Sequence, residues 1–223
     1  MQFLRSSVGR KIVMAVSGFS MIIFVVVHLL GNASLYAGPD GINAYAKALH
    51  SFPPLLWLFR LTMLAMLLLH VFFGTQLTLE NRAAKPQAYK VKKDLSATFA
   101  GRNMIWTGLL IGVFLVYHLL HFTFQIIDPG ISAIRNLDAM GRPDVFTMVV
   151  LSFRKFFVSL TYFFAMGILA FHLLHSIQSS FQTLGLNSDR TFSLILKGGT
   201  LAAVLIFFGY IAFPAVIYLG ILK

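Results

Sequence analysis

Apolar and polar stretches alternate along this chain on a scale longer than that of soluble secondary structure. Five apolar runs lie at about 12–31, 55–79, 103–127, 156–184 and 198–221. Each is close to or above the roughly 20 residues that cross a bilayer as a helix. None carries Asp or Glu in its apolar core. The pattern predicts an all-α integral membrane bundle of five transmembrane helices, read as a single domain over 1–223.

The polar stretches set the boundaries. Residues 1–11 are short and basic, and together with the first run they imitate a signal peptide. A run of about 20 apolar residues exceeds the usual 7–15-residue signal core, so a retained first helix is expected. Gly38-Pro39-Asp40-Gly41 is a turn signal. Residues 42–52 then read as a short amphipathic helix at the interface, and Pro53-Pro54 opens the second run. Residues 80–102 are polar and basic, and Asp128-Pro129-Gly130 ends the third run. A polar loop with Arg135, Asp138, Arg142 and Asp144 follows. Gly185 and Asn187 suit the C-terminus of the fourth helix, and Pro214 makes the fifth prone to a kink.

Composition sharpens this picture. Of the 223 residues, 58% are hydrophobic and only 11% charged, against about a quarter charged in soluble domains. Cysteine is absent, which excludes disulfides, iron–sulfur ligation and thiolate chemistry by this chain. The net charge of +11 sits between the apolar runs, so it reads as topology and contact with anionic lipid headgroups, not as nucleic-acid binding. With the N-terminus inside, the inner segments hold 11 basic residues: Arg5, Arg10, Lys11, Arg82, Lys85, Lys90, Lys92, Lys93, Arg102, Arg190 and Lys197. The outer segments hold 7: Lys47, Arg60, Arg135, Arg142, Arg154, Lys155 and Lys223. The bias predicts a cytoplasmic N-terminus.

The candidate chemistry lies in histidines at membrane depth: His28, His70, the pair His118 and His121, and the pair His172 and His175. An ionisable ring inside a membrane helix is costly and by default signals function. His28 lies 17 residues beyond Lys11, and His118 lies 16 beyond Arg102. At 1.5 Å per residue both rings sit roughly 25 Å along helices that start inside. His70 lies 12 residues before Arg82 and His172 lies 13 before Gly185, on helices that end inside. The rings thus fall into an outer layer on helices I and III and an inner layer on helices II and IV. Two neutral imidazoles facing each other across a bundle suit a haem iron held on both axial positions, a centre for one-electron transfer. His121 and His175 share a helix face with His118 and His172, so spacing leaves either ring of each pair open as a ligand. A histidine can also merely hydrogen-bond a nearby carbonyl. A di-metal centre would want carboxylates, and so would a proton relay or small transporter. His50 lies outside the apolar runs and reads as a solvated interfacial ring.

Four motifs go further. They are His28-Leu29-Leu30-Gly31-Asn32; His70 with Gly74; Gly108 followed by Tyr117-His118; and Phe171-His172 followed by Gly185. In order and spacing the chain resembles the diheme cytochrome b membrane anchor of succinate:menaquinone oxidoreductases and fumarate reductases, over helices I to IV. The resemblance implies two haem b groups, a distal one on His28 and His118 and a proximal one on His70 and His172. It leaves His121 and His175 as supporting or packing residues. It also implies a flavoprotein and an iron–sulfur subunit on the cytoplasmic side, menaquinone as electron acceptor or donor, and residence in a bacterial cytoplasmic membrane. Some fumarate reductases of the family carry a glutamate two residues before the helix IV ligand, where it conducts protons. Here that position is Ala170, which favours succinate oxidation. Asn32, Tyr45, His50 and Asp128 are the polar candidates for a quinone site near the outer face, and Arg10, Arg60, Arg102 and Arg190 for partners of haem propionates. The readings that remain beside it are the cytochrome b subunit of a hydrogenase or formate dehydrogenase, and a haem-free anchor.

Overall fold

The structure is a computed structural model that describes residues 3–84 and 99–223. Lys85, Lys90, Lys92 and Lys93 of the basic inner loop lie outside the described residues. Within the described residues all regular secondary structure is helical, apart from one isolated bridge between Leu137 and Pro143. Eight α-helices follow one another: α1 (Ser7–Asn32), α2 (Pro39–His50), α3 (Pro53–Ala83), α4 (Phe99–Arg102), α5 (Met104–His118), α6 (Val145–Phe153), α7 (Phe156–Thr183) and α8 (Asp189–Tyr218). Of these, α1, α3, α5 with its C-terminal extension, α7 and α8 are long and apolar enough to cross a membrane.

Local chemistry explains where the helices begin and end. The Ser6 hydroxyl accepts from the Gly9 N–H at 3.0 Å and caps α1. Pro53 occupies the first turn of α3, where its missing N–H costs nothing. Ser188 and Thr191 form a reciprocal capping box at the start of α8. That cap starts α8 nine residues before the apolar run predicted from 198. At the end of α7, Gly185 takes φ +70. The Leu186 N–H reaches the Phe181 carbonyl at 3.0 Å and the Gly185 N–H reaches Gln182 at 3.1 Å, the paired bonds of a Schellman motif. Pro214 lies buried inside α8, which continues to Tyr218.

Two further features differ from the sequence expectation. The third span does not continue to 127. After His118 it widens into a π-turn, Leu119–Thr123, and it ends at Gln125, whose φ is 55. The apolar pattern misses this end because Ile126 and Ile127 continue it beyond the last helical bond. The second feature is α6. Its nine residues are too short to span, and they bury Phe146, Met148, Val150, Ser152 and Phe153.

The spanning helices α1, α3, α5 and α7 close a ring in that order, each packing on the next and α7 returning to α1. Helix α8 packs outside against α7 and α1. The diagonals of the ring are therefore α1 with α5 and α3 with α7. At one end of the bundle, α2 and α6 pack together over an apolar cluster that includes Leu35, Ile42, Phe146, Val150, Phe153, Tyr162, Phe213 and Ile217.

A polar clamp holds that end. Asn43 is wholly enclosed. Its amide nitrogen donates to Asp138 at 3.1 Å and Asp144 at 3.3 Å, and its carbonyl accepts from the Phe146 N–H at 2.9 Å. Arg142 donates to Asp138 and to Asp40, both at 2.7 Å. Burial works to raise the Asp138 carboxyl. Hydrogen bonds from the Arg142 N–H and guanidinium, the Asn43 amide and the Met140 N–H outweigh it and hold the group at about 2. A carboxyl depressed on folding stabilises the fold above its unfolded value of about 3.9 and loses that contribution as pH falls through the folded one. Acidification from pH 5 to pH 2 is therefore expected to loosen residues 132–144 first, read as a loss of hydrogen-exchange protection in that segment relative to the intrinsic rate at each pH.

Candidate functional site

Two pairs of histidine rings face each other across the diagonals of the ring. His28 of α1 and His118 of α5 have centroids 5.9 Å apart with planes at 86°. His70 of α3 and His172 of α7 have centroids 6.3 Å apart with planes at 67°. A metal–imidazole bond is about 2 Å, so two rings bound on opposite sides of one metal ion have centroids roughly 6.4 Å apart. Both pairs stand close to that spacing, and all four rings keep part of their surface uncovered by protein.

The second nitrogen of each ring says how it is held. His70 Nδ1 lies 3.2 Å from the Met14 carbonyl of α1. A carbonyl only accepts, so Nδ1 carries the proton and Nε2 keeps its lone pair. His172 Nδ1 lies 3.0 Å from the Thr107 hydroxyl of α5. That hydroxyl uses its own proton on the backbone carbonyls of Asn103 and Met104, at 3.2 and 3.1 Å, and so accepts from His172. His118 Nδ1 lies 3.2 Å from the Tyr162 hydroxyl of α7. Outer partners of this kind orient a ligating ring and fix its tautomer. His28 is held by ring contacts instead: it stacks on Phe24 at 5.4 Å and 23° and lies 6.3 Å from Tyr210. Tyr210 in turn donates to the Val25 carbonyl at 2.7 Å.

Three helices give the same distance between the pairs. On α1, a Cβ built on Gly18 would stand 3.0 Å from His70, and His28 follows ten residues later. On α5, Gly108 faces His172 and His118 follows ten residues later. On α7, Tyr162 meets His118 and His172 follows ten residues later. Ten residues of helix rise about 15 Å, which is the separation of the two pairs along the bundle.

His121 and His175 stand outside the pairs: among the described residues neither faces a second histidine ring. His121 is buried and bonded to Tyr162 and Ser152. Among the described residues no group of three or more His, Asp or Glu side chains is arranged to hold a metal ion.

The four quinone candidates differ in what they touch. Tyr45 packs against Gly31, where a Cβ would stand 2.5 Å from its oxygen, beside Asn32 at the end of α1. His50 is exposed and bonds the Ala46 carbonyl of its own helix at 2.8 Å. Asp128 pairs with Lys155. A hollow of about 480 Å³ beside α2 is lined by Ala44, Lys47, Ala48, Ser51, Met140 and Arg142, and holds none of the four.

The arginines divide similarly. Arg60 stacks on Trp57 at 5.2 Å. Arg190 is exposed in the first turn of α8. Arg102 lines a hollow of about 250 Å³ with Thr78, Asn81 and Arg82. Arg10 pairs with Glu80, and its Nε is buried without a partner among the described residues. A buried orphan donor on a cation fits an anionic group at the His70 end of the bundle.

Thr107, Tyr162 and Gly18 escaped the sequence reading. The only signal for them is a polar or small residue in an apolar run, with Gly18 and Tyr162 at a spacing of ten from a histidine. No family model matches the chain, no curated protein matches its sequence, and no solved structure matches its fold.

Proposed function

We propose that this chain is a two-haem cytochrome b that anchors a succinate:menaquinone oxidoreductase, or a fumarate reductase working in reverse, in a bacterial cytoplasmic membrane. The carrying observation is the pair of diagonals, two facing histidine rings on each, at the spacing of one metal ion between two imidazoles. His28 with His118 would hold one haem and His70 with His172 the other, and Arg10 offers its free Nε to an anionic side group. A haem held between two histidines would supply one-electron transfer, with no position left for substrate. The chain's own part is to present Nε2 of His70, His172 and His118, with Met14, Thr107 and Tyr162 holding the opposite nitrogen, and to hold the His28 ring against Phe24 and Tyr210. The excess of basic residues on one side supports a cytoplasmic N-terminus, with a flavoprotein and an iron–sulfur subunit docked there and menaquinone at the other face.

The test is the reduced-minus-oxidised spectrum of the purified chain, with haem extracted and counted. Two b haems per chain are expected, together with a copurifying flavoprotein that oxidises succinate. A chain without a b-type α-band overturns the reading, and a nickel or molybdenum partner overturns the choice of complex. Gly18→Leu is expected to remove the haem on His70 and His172 and spare the other, because the added side chain occupies the place of the His70 ring. Loss of the other haem instead would contradict the assignment.

A further inference from the structure

Beyond the four paired rings, the bundle buries a chain of polar groups that packing alone does not call for. Tyr162 is 7% exposed and stands on α7 among Phe114, Tyr117, Phe122 and Phe153. Its hydroxyl lies 3.2 Å from His118 Nδ1 and 3.3 Å from His121 Nδ1. His121 Nε2 lies 3.2 Å from the Ser152 hydroxyl of α6. His121 is 4% exposed and Ser152 fully enclosed. The π-turn Leu119–Thr123 contains His121 and departs from α-helical phase just after His118. Turns of this kind occur often at functional sites.

Tyr162 has one proton to give, and leaving that proton buried without an acceptor is costly, so two directions of donation satisfy every group along this chain. Ligation by His118 through Nε2 selects one of them. His118 Nδ1–H donates to the Tyr162 oxygen, Tyr162 O–H donates to His121 Nδ1, and His121 Nε2–H donates to Ser152.

We propose that Tyr162, His121 and Ser152 form a positioning relay that holds His118 and sets the potential of its haem. The proposal rests on the two-haem reading. A hydrogen bond accepted from the outer N–H of a ligand histidine raises the ring's basicity. A more basic ligand favours the oxidised iron, so the relay lowers the potential of the His28/His118 haem. The His70/His172 pair has other partners and is not affected.

The experiment is a redox titration, followed optically, of the purified chain carrying Tyr162→Phe. That variant keeps the ring and removes the hydroxyl. The reduction equilibrium of one haem is expected to shift about tenfold toward the reduced form, about 59 mV for one electron, with the other haem unmoved. His121→Leu should shift the same haem the same way by less. His121→Gln, which keeps a hydrogen-bonding group, should restore most of the difference, and this pair of variants serves if Tyr162→Phe does not fold. Because His121 acts through Tyr162, the double variant should equal Tyr162→Phe alone. Two bound haems with unmoved potentials, equal shifts in both, or fully additive effects overturn the relay alone. Absence of haem from the unaltered chain overturns the two-haem reading, and the relay with it.

Discussion

His172→Ala is expected to abolish one of two spectrally distinct b haems, and His175→Ala to abolish neither. The two rings are three residues apart on one face of α7, and both are partly buried. Only His172 faces a second histidine, at 6.3 Å, and only its Nδ1 is engaged by Thr107 from the neighbouring helix. Outer partners of a ligand histidine are alone worth about 10–100-fold in metal affinity. Removing the ring itself should therefore lower occupancy of that site by at least tenfold. His70→Ala should cause the same loss, in the same spectral component. Optical spectra of the three purified variants decide the matter. Loss of a haem in His175→Ala with retention in His172→Ala would show that the wrong ring of the pair has been chosen.

The second large effect is on stability. Asn43→Leu is expected to destabilise the chain by about 3 kcal/mol, since the buried Phe146 N–H loses its acceptor and two carboxylates lose a donor. Asn43 joins three parts of the chain that are distant in sequence: α2, the loop at Asp138 and the start of α6 at Asp144 and Phe146. Its loss also opens the seam over which Leu35, Ile42, Phe146 and Val150 pack. Asn43→Asp should be worse than Asn43→Leu, because it adds a third carboxylate beside Asp138 and Asp144. Thermal unfolding of the detergent-solubilised protein, followed by intrinsic fluorescence, measures both. An Asn43→Leu variant that melts with the unaltered chain would show that the clamp is dispensable.

The parts of this structure governed by long apolar runs were legible in the sequence. All five spans were expected, and depth counting from Lys11, Arg82, Arg102 and Gly185 paired helix I with III and II with IV, as the rings lie. Depth is legible because helical rise converts residue number directly into distance. Helix ends were less so, because caps are polar: Ser6 and Ser188 start their helices outside the apolar runs. The π-turn after His118 was invisible, since no residue type signals an added i→i+5 bond. Helix α6 was missed because nine apolar residues are too few to register as a span. Asn43, Thr107 and Tyr162 matter through what they touch across the fold, and one sequence carries no record of such contacts. Of the quinone candidates, Tyr45 packs against Gly31, the neighbour of Asn32 at the end of α1.

Pairwise removal of histidines tests the central proposal most directly, with haem counted in each purified double variant. His28→Ala with His118→Ala should leave one haem, and His70→Ala with His172→Ala should leave the other, because each double removes both ligands of one site. The mixed double, His28→Ala with His172→Ala, should leave none. Retention of one intact haem in the mixed double, with both lost in either matched double, would contradict the assignment of the two sites to the two diagonals.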